Sequence, residues 1–461
     1  MYKTKLSALF LLGMLVSGQA FTEELYRIQP LDENLNPIVE EVNSEKEYNY
    51  KDFNLDSAIE IALKNNRTIK NANTSVDKAE AAVWQARTAA SAKVTAQVTQ
   101  TKLEDGKLRG VENATLDDVN GSHINLTQPI YLGKADKAGI KSARLGRDIA
   151  KASRTLTKQN IVMAVSRAYY NWLYAREVEN VGKMDLDLAQ AHYDLVNKRF
   201  QAEQTSKYEL LRADVRLAQF KSSYLSNKND AVMAKLSLLK LLSLPMDTEL
   251  DTTAKLEIEE IQPDVNEDLA NAVELREDLK ISRAQKDIAQ QSLIAAKSNG
   301  LPSVVLSAQW GYDKPSQRLA SGRNADDTWN ATLALSMPIM DASLTKSKIK
   351  EARAGIKEAE NNYNESIENT ELEVYRAALS LQTAIEVLAS QKENLKQAEE
   401  TLRLAKVRYE NGLFTQIDLF DAENAWSNAK LIYLQAIFNH HNARLAYQLA
   451  VGKLGRDIKG F

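Results

Sequence analysis

The chain has 461 residues, 59 basic against 62 acidic side chains for a net charge of −3, and no cysteine. The near balance of charge argues against nucleic acid as a partner. The missing cysteine excludes disulfides, thiolate metal sites, a cysteine nucleophile and a cysteine-linked lipid anchor.

With 8 prolines and 17 glycines among abundant Ala, Leu, Lys, Glu and Gln, the composition is that of long helices. At the N-terminus, Lys3 and Lys5 precede an apolar run, Leu6 to Val16, and the small residues Gly18 and Ala20. This pattern predicts a signal peptide over 1–20, with a mature chain starting near Phe21 and a polar segment over 21–52. No later stretch is long and uncharged enough to span a membrane as a helix, so any crossing must be made by a barrel.

Residues 53–250 read as one unit. An opening helix covers about 55–92, and strands follow at "VTAQVTQ" (94–100) and "HINLTQPI" (123–130). A proline-free helical tract runs over 136–201 and a returning helix over 206–242. After an acidic linker at 251–266, a second unit over 267–455 repeats the plan. Its helix covers 269–298, its strands are "VVLSAQWGY" (304–312) and "TWNATLALSM" (328–337), its long helix covers 342–410, and its returning helix covers 415–451. A tail at 456–461 closes the chain.

The plan recurs because the sequence is duplicated. "IKSARLG" (140–146) returns as "IKEARAG" (349–355), an offset of 209, and Pro129-Ile130 falls on Pro338-Ile339. At the same offset "RFQAEQTSKYELLRA" (199–213) falls on "RYENGLFTQIDLFDA" (408–422). The opening helices align best at an offset of 214, which predicts a five-residue difference between the units.

A 66-residue tract spans about 100 Å, far beyond a globular core. Leu145, Ile149, Ala152, Leu156 and Met163 follow coiled-coil spacing, with Gln159 as the polar step. The opening and returning helices together match the long helix in length, so the expected body is a tube of long helices faced by pairs of short ones. The strands alternate apolar and polar positions, with Trp310, Tyr312 and Trp329 toward their loop ends, as outer-membrane barrel strands do. Four strands cannot close a barrel, but several copies contributing four each can. Pro129 and Pro338 mark the expected strand-to-helix junctions.

These features together resemble the TolC-like outer-membrane efflux channels of Gram-negative bacteria. The resemblance rests on the tandem repeat, the "L-x-x-P-I" junctions and the "R-[FY]-x-x-G-x-x-T-x-x-D-L-x-x-A" turn at 408–422, and it covers the whole mature chain. It implies a mixed α and β fold, in which a long coiled-coil tunnel joins four transmembrane strands that complete a twelve-stranded barrel in a homotrimer. The barrel would sit in outer-membrane lipid. The tunnel would cross the periplasm to a periplasmic adaptor (membrane fusion) protein and an inner-membrane pump.

The resemblance also implies site roles. Glu203, Gln204, Thr205, Gly412, Leu413, Phe414 and Thr415 would form the adaptor-docking tips, with Glu203 standing where the second repeat has Gly412. Asp418 and Asp421 would ring the entrance constriction. Tyr409 and Glu209 fall at coil-closing positions, although Phe414 replaces the basic residue expected beside them. Trp310, Tyr312 and Trp329 would mark the membrane interface.

No phosphate loop, dinucleotide fingerprint, HExxH or nucleophile elbow occurs, so no cofactor, metal or catalytic residue is expected. His123, His192, His440 and His441 read as satisfied or exposed histidines, and Tyr169, Tyr170 and Trp172 as interhelical packing. The expected function is passive conduction of small molecules. Two alternatives remain: protein or peptide secretion on the same fold, and a soluble periplasmic coiled-coil adaptor.

Overall fold

The computed structural model describes residues 53–101, 119–252, 254, 263–315 and 327–456. The expected signal segment 1–20, the segment 21–52 and the tail beyond Arg456 lie outside the described residues.

The first half contains α1 (Leu55–Asn65), α2 (Arg67–Thr88), β1 (Lys93–Thr101), β2 (Val119–Leu132), α3 (Ala135–Gln201) and α4 (Lys207–Leu242). The second contains α5 (Val265–Leu275), α6 (Glu277–Ser298), β3 (Ser303–Pro315), β4 (Asp327–Ser336), α7 (Leu344–Glu410) and α8 (Gln416–Val451). In both halves the four helices have 11, 22, 67 and 36 residues. Each long helix therefore spans about 100 Å.

The predicted single opening helix is in fact two, because Asn66 (φ −61°, ψ 126°) and Arg276 (φ −65°, ψ 128°) are extended. The two breaks are pinned alike. Asn66 Nδ2 donates to the Leu241 carbonyl at 2.8 Å, and Arg276 Nη1 donates to the Ala450 carbonyl at 3.2 Å. Leu241 and Ala450 are 209 positions apart, so each break is held by the same point of its returning helix. Arg276 is held further by Asp278 at 2.6 Å and Glu373 at 2.7 Å.

The expected offset of 214 for the opening helices is also corrected. Their caps and breaks match at 210 (Asn54 with Asp264, Asn66 with Arg276), so the halves differ there by one residue rather than five. A slip of four residues is close to one helical turn and preserves the apolar face, which is why the wrong register also fits the pattern.

The largest core cluster packs Phe53, Ile59, Val165, Trp172, Leu238, Leu242 and Leu445, joining α1, α3, α4 and α8. Phe53 lies 6.1 Å from Tyr169 and 6.3 Å from Trp172 by ring centroids, a range in which edge-on aromatic pairs attract. Ala152, Gln159 and Met163 of the expected coiled-coil stripe are buried, while Leu145, Ile149 and Leu156 are half-buried. On α7 the buried positions Val374, Leu381, Leu388, Leu395 and Leu402 recur every seven residues, the spacing that winds α7 and α8 left-handedly about each other.

The strands form one antiparallel sheet in the order β1-β2-β3-β4. Its registers place Val94, Ala96, Val98, Ile124, Leu126, Leu306, Ala308, Trp310, Trp329, Leu333 and Leu335 on one face. Thr95, Gln97, Thr99, His123, Asn125, Ser307, Gln309, Asn330 and Thr332 take the other. Among the described residues β1 and β4 pair on one side only, leaving two open edges.

The prolines do not sit at the helix junctions. Pro129 lies inside β2 at an irregularity opposite Val305, where a residue without an N–H fits, and Pro338 lies just beyond β4. The chain turns into the helices four residues later, at Gly133-Lys134 and Ala342-Ser343, all with positive φ.

Candidate functional site at the helical tips

The turns between α3 and α4 and between α7 and α8 are built identically despite their different sequences. Glu203 (φ 59°) and Gly412 (φ 72°) both take the left-handed conformation. Gln204 N–H donates to the Arg199 carbonyl at 2.8 Å, and Leu413 N–H donates to the Arg408 carbonyl at 2.9 Å. That bond is the signature of the Schellman helix end. A side chain at positive φ costs about 1–2 kcal/mol, so glutamate holds this turn under strain that glycine escapes.

Glu203→Gly is therefore expected to raise stability by up to about 1 kcal/mol, and Gly412→Ala to lower it by about as much. A Cβ at Gly412 meets no atom within 4 Å, so the effect would be conformational alone. Denaturant midpoints of the purified variants check both signs.

The returning helices open on side-chain caps. Ser206 Oγ accepts from Glu209 N–H at 3.3 Å. Thr415 and Asp418 form a reciprocal capping box, in which the Asp418 carboxylate accepts from Thr415 N–H at 2.8 Å and from its hydroxyl at 2.6 Å. These bonds from Thr415, side chain first, hold the Asp418 carboxyl below its ordinary pKa. Asp421, one turn on, is exposed with it on the same side of α8.

Leu413 is 76% exposed and Gly412, Thr415, Glu203 and Gln204 are exposed, while Phe414 and Thr205 are half-buried. The Arg408 guanidinium stacks on the Phe414 ring at 5.1 Å. The expected coil-closing pair is not brought together within the chain. Tyr409 packs beside Leu402, Ala405, Leu419 and Ala422, and no hydrogen bond or ion pair between described residues joins it to Glu209.

Sequence reading missed the cluster that does tie the coils. About two turns above the tip, Arg216 of α4 forms an ion pair with Glu423 of α8 at 3.1 Å and lies 3.6 Å over the Phe420 ring. Ser427 Oγ donates to Asp185 of α3 at 2.7 Å, and the Gln416 side-chain amide bonds to His192 Nε2. Burial pushes the Asp185 and Glu423 carboxyls above their usual range, with Arg216 acting against it in both. Burial, with Arg216 and Arg199 nearby, lowers His192 to about 4, so its imidazole is neutral at physiological pH. The partners lie 207 to 242 residues apart and carry no local motif.

At the other end, Trp310 stands directly opposite Trp329 on the apolar face, and both are exposed in the single chain. Tyr312 lies opposite Ser122 and Asp327, and its side chain is outside the described residues. On the polar face the Gln309 amide meets His123 Nδ1 at 3.0 Å. His440 and His441 are buried, His441 stacked on Tyr170 at 4.0 Å.

A sheet with one apolar and one polar face, two open edges and a 100 Å helical body defines a protomer of an outer-membrane barrel continued by a helical tunnel. The chain belongs to the outer membrane efflux protein family, whose model matches it twice, over residues 58–243 and 269–453.

Among its relatives, nodulation protein T of Rhizobium leguminosarum bv. trifolii is 21% identical, covering 87% of this chain and 86% of that protein. The toxin and drug export protein A of Aggregatibacter actinomycetemcomitans is also 21% identical, covering 85% and 84%. Among solved structures, the Campylobacter jejuni CmeC outer membrane channel superposes with a TM-score of 0.76 at 20% identity, covering 87% of this chain and 86% of that one. The chain is thus a TolC-type outer-membrane channel protein with its helical tunnel projecting into the periplasm, a conduit rather than an enzyme.

Proposed function

We propose that three copies of the chain assemble into a channel-tunnel through which a periplasmic adaptor and an inner-membrane pump expel small toxic molecules. The observation that carries the assembly is an imbalance between the two halves. Among the described residues α6 packs on both long helices, α3 and α7, whereas its repeat counterpart α2 packs on one long helix, α3, and makes no comparable contact with α7. Likewise α3 packs along α8, while the counterpart helices α7 and α4 make no comparable contact.

The faces left over match. Leu211 is 53% exposed where its counterpart Phe420 is 6% exposed, and Leu379 is 63% exposed where Tyr170 is 7% exposed. Leu225, Val232 and Leu372 are exposed where Leu434, His441 and Met163 are buried. A neighbouring copy that set its α4 against α7 would repeat the α3–α8 contact and cover all of them. Each large side chain buried this way contributes about 1.5–3 kcal/mol. Three copies supply twelve strands, a number that closes a barrel wide enough to conduct.

Loss of the gene should sensitise cells to several unrelated toxic compounds. Unchanged resistance with loss of one secreted protein would instead favour protein secretion, a reading to which the toxin-exporting relative lends some weight.

In the assembly Asp418 and Asp421 form stacked carboxylate rings at the entrance, concentrating cations there. Their first-repeat counterparts are Glu209 and Arg212, so only the second repeat offers two acids. Asp421→Asn is expected to lower cation preference in planar bilayers without loss of stability. Asp418→Ala should do so and also cost about 1 kcal/mol, because it removes a helix cap. Selectivity unchanged in both would take these residues out of the pore.

A further inference from the structure

Near its midpoint each long helix exposes an arginine that the fold does not use. Arg167 of α3 and Arg376 of α7 are repeat counterparts, 209 positions apart. Each lies 32 residues after the start of its helix (167 − 135 and 376 − 344) and 34 before its end (201 − 167 and 410 − 376). Both therefore stand at one height, about 50 Å above the tips. Both are exposed, and among the described residues neither has an ion pair, a hydrogen bond or a ring contact.

The two arginines line one cavity of about 600 Å³, where the α5/α6 break meets the end of α8. It lies high in the seam between the α3/α4 coil and α8 that Arg216 ties near the tip. Its volume falls within the roughly 300–1,000 Å³ of small-ligand sites. Leu156, Met163, Ala377, Ala446 and Leu449 give it an apolar floor. Three acids line it as well, but each is already held by a cation. Asp278 and Glu373 pair with Arg276 at 2.6 and 2.7 Å, and Glu277 pairs with Lys280 at 2.8 Å and Arg456 at 3.4 Å. The charge left over in the wall is that of Arg167 and Arg376.

The packing of α7 says which way the cavity opens. Val374 packs with Ala272 of α5 and Ala450 of α8, and Leu381 packs with Tyr447 of α8. Leu372 and Leu379 lie on the face that a neighbouring α4 would cover. Glu373, Arg376 and Ser380, about 200–260° of helix from Val374, take the remaining side. A conduit keeps its bore clear, so the extra layer made by α1 and α5 belongs outside the wall and the arginines inside it.

The equivalent place between copies, which exists only in the trimer proposed above, has a different lining. At the repeat offset Leu156 becomes Glu365, Ala446 becomes Ser237 and Leu449 becomes Lys240. An anionic head would find guanidinium groups at either place, but an apolar body finds a floor only inside each copy.

We propose that the cavity inside each copy binds small amphiphilic organic anions on the tunnel wall, one per copy. Arg167 and Arg376 take the anionic head through charge-assisted hydrogen bonds, and Leu156, Met163 and Leu449 take the apolar body. This names a cargo class for the export reading and, as cargo, rests on it; the binding itself does not.

The test is equilibrium dialysis of the purified protein in phosphatidylcholine nanodiscs, with empty nanodiscs subtracted. The probes are naphthalenesulfonate and its neutral match, naphthalenemethanol. The protein is expected to bind one naphthalenesulfonate per chain, at least tenfold more tightly than naphthalenemethanol. Arg167→Gln with Arg376→Gln, at exposed positions that hold no other residue, should weaken the sulfonate at least tenfold and leave the alcohol within twofold. Leu156→Glu, which installs the counterpart residue, should weaken both probes. No saturable sulfonate binding, equal affinity for the two probes, or sulfonate affinity unchanged in the arginine variant overturns the proposal. Two sulfonates per chain would overturn it too, by showing that the polar cavity between copies serves equally well. The export reading is judged apart from this: it falls if deleting the gene leaves resistance unchanged, whatever the protein binds.

Discussion

Oxidation of a Val98→Cys/Leu335→Cys double variant is expected to yield covalent dimers and trimers that reductant dissolves, with no larger species. The expectation follows from the registers inside the chain. β1 and β2 pair at residue numbers summing to 220, and β3 and β4 at numbers summing to 639. The difference, 639 − 220 = 419, is 209 + 210, so β4 repeats β2 at 209 and β3 repeats β1 at 210.

The β2–β3 pairing, with numbers summing to 434 up to Pro129, then dictates how β4 meets the next copy's β1: 434 + 209 − 210 = 433. Leu335 falls opposite Val98. These two side chains are 72% and 73% exposed in the single chain and both lie on the apolar face. Directly opposed strand residues have Cα atoms about 4.5–5.5 Å apart, within disulfide reach. The irregularity after Pro129, transferred to Pro338, puts Asp341 opposite the next copy's Lys93, an opposite-charge pair at the foot of the barrel.

A pairing slipped by one residue would turn the two side chains to opposite faces. Val98→Cys with Ala334→Cys therefore serves as the control and should stay uncross-linked. A ladder extending past the trimer would mean an open or larger ring; no cross-link at all would mean that these edges do not meet.

Much of this architecture was readable before any coordinates. The 67-residue helices follow from proline-free tracts with helical spacing, and the strands follow from period-two alternation, because each signal extends over many residues. The break at Asn66 and Arg276 was not readable. Arg276 is no helix breaker by type and Asn66 carries only the common N-cap preference of asparagine, its side chain accepting from Thr68 N–H, while each break is pinned by a bond to a carbonyl about 175 residues away. Nor did residue type settle the first tip: Glu203 stands where the second repeat has Gly412, yet it takes the same positive φ and the same Schellman bond. The Thr415–Asp418 box, by contrast, has a four-residue signature that could have been read as a cap as well as a pore residue. The Arg216 cluster had none, since it is assembled entirely by the packing of α3, α4 and α8.

That cluster gives the second large effect. Arg216→Leu is expected to cost about 3–5 kcal/mol, because it leaves buried carboxylates without their cation. Side-chain exposure at the pair is 16% for Arg216 and 15% for Glu423, too little for water to take over. Burial already holds Glu423 and Asp185 above the usual carboxylate range with Arg216 present. Without it they would rise further.

The sign with pH follows. A carboxyl whose folded pKa is raised is neutralised in the folded protein at a higher pH than in the unfolded chain. The deficit of Arg216→Leu should therefore be largest near neutrality and shrink as pH falls through the raised carboxyl range. Arg216→Leu with Glu423→Leu should recover most of the loss at neutral pH, since an apolar pair can replace a buried ion pair at little cost. Denaturant unfolding of the purified channel at neutral and mildly acidic pH measures all three. A single-variant loss below about 1 kcal/mol, the value of a solvated surface pair, would show that water reaches the seam and that Arg216 does not hold it.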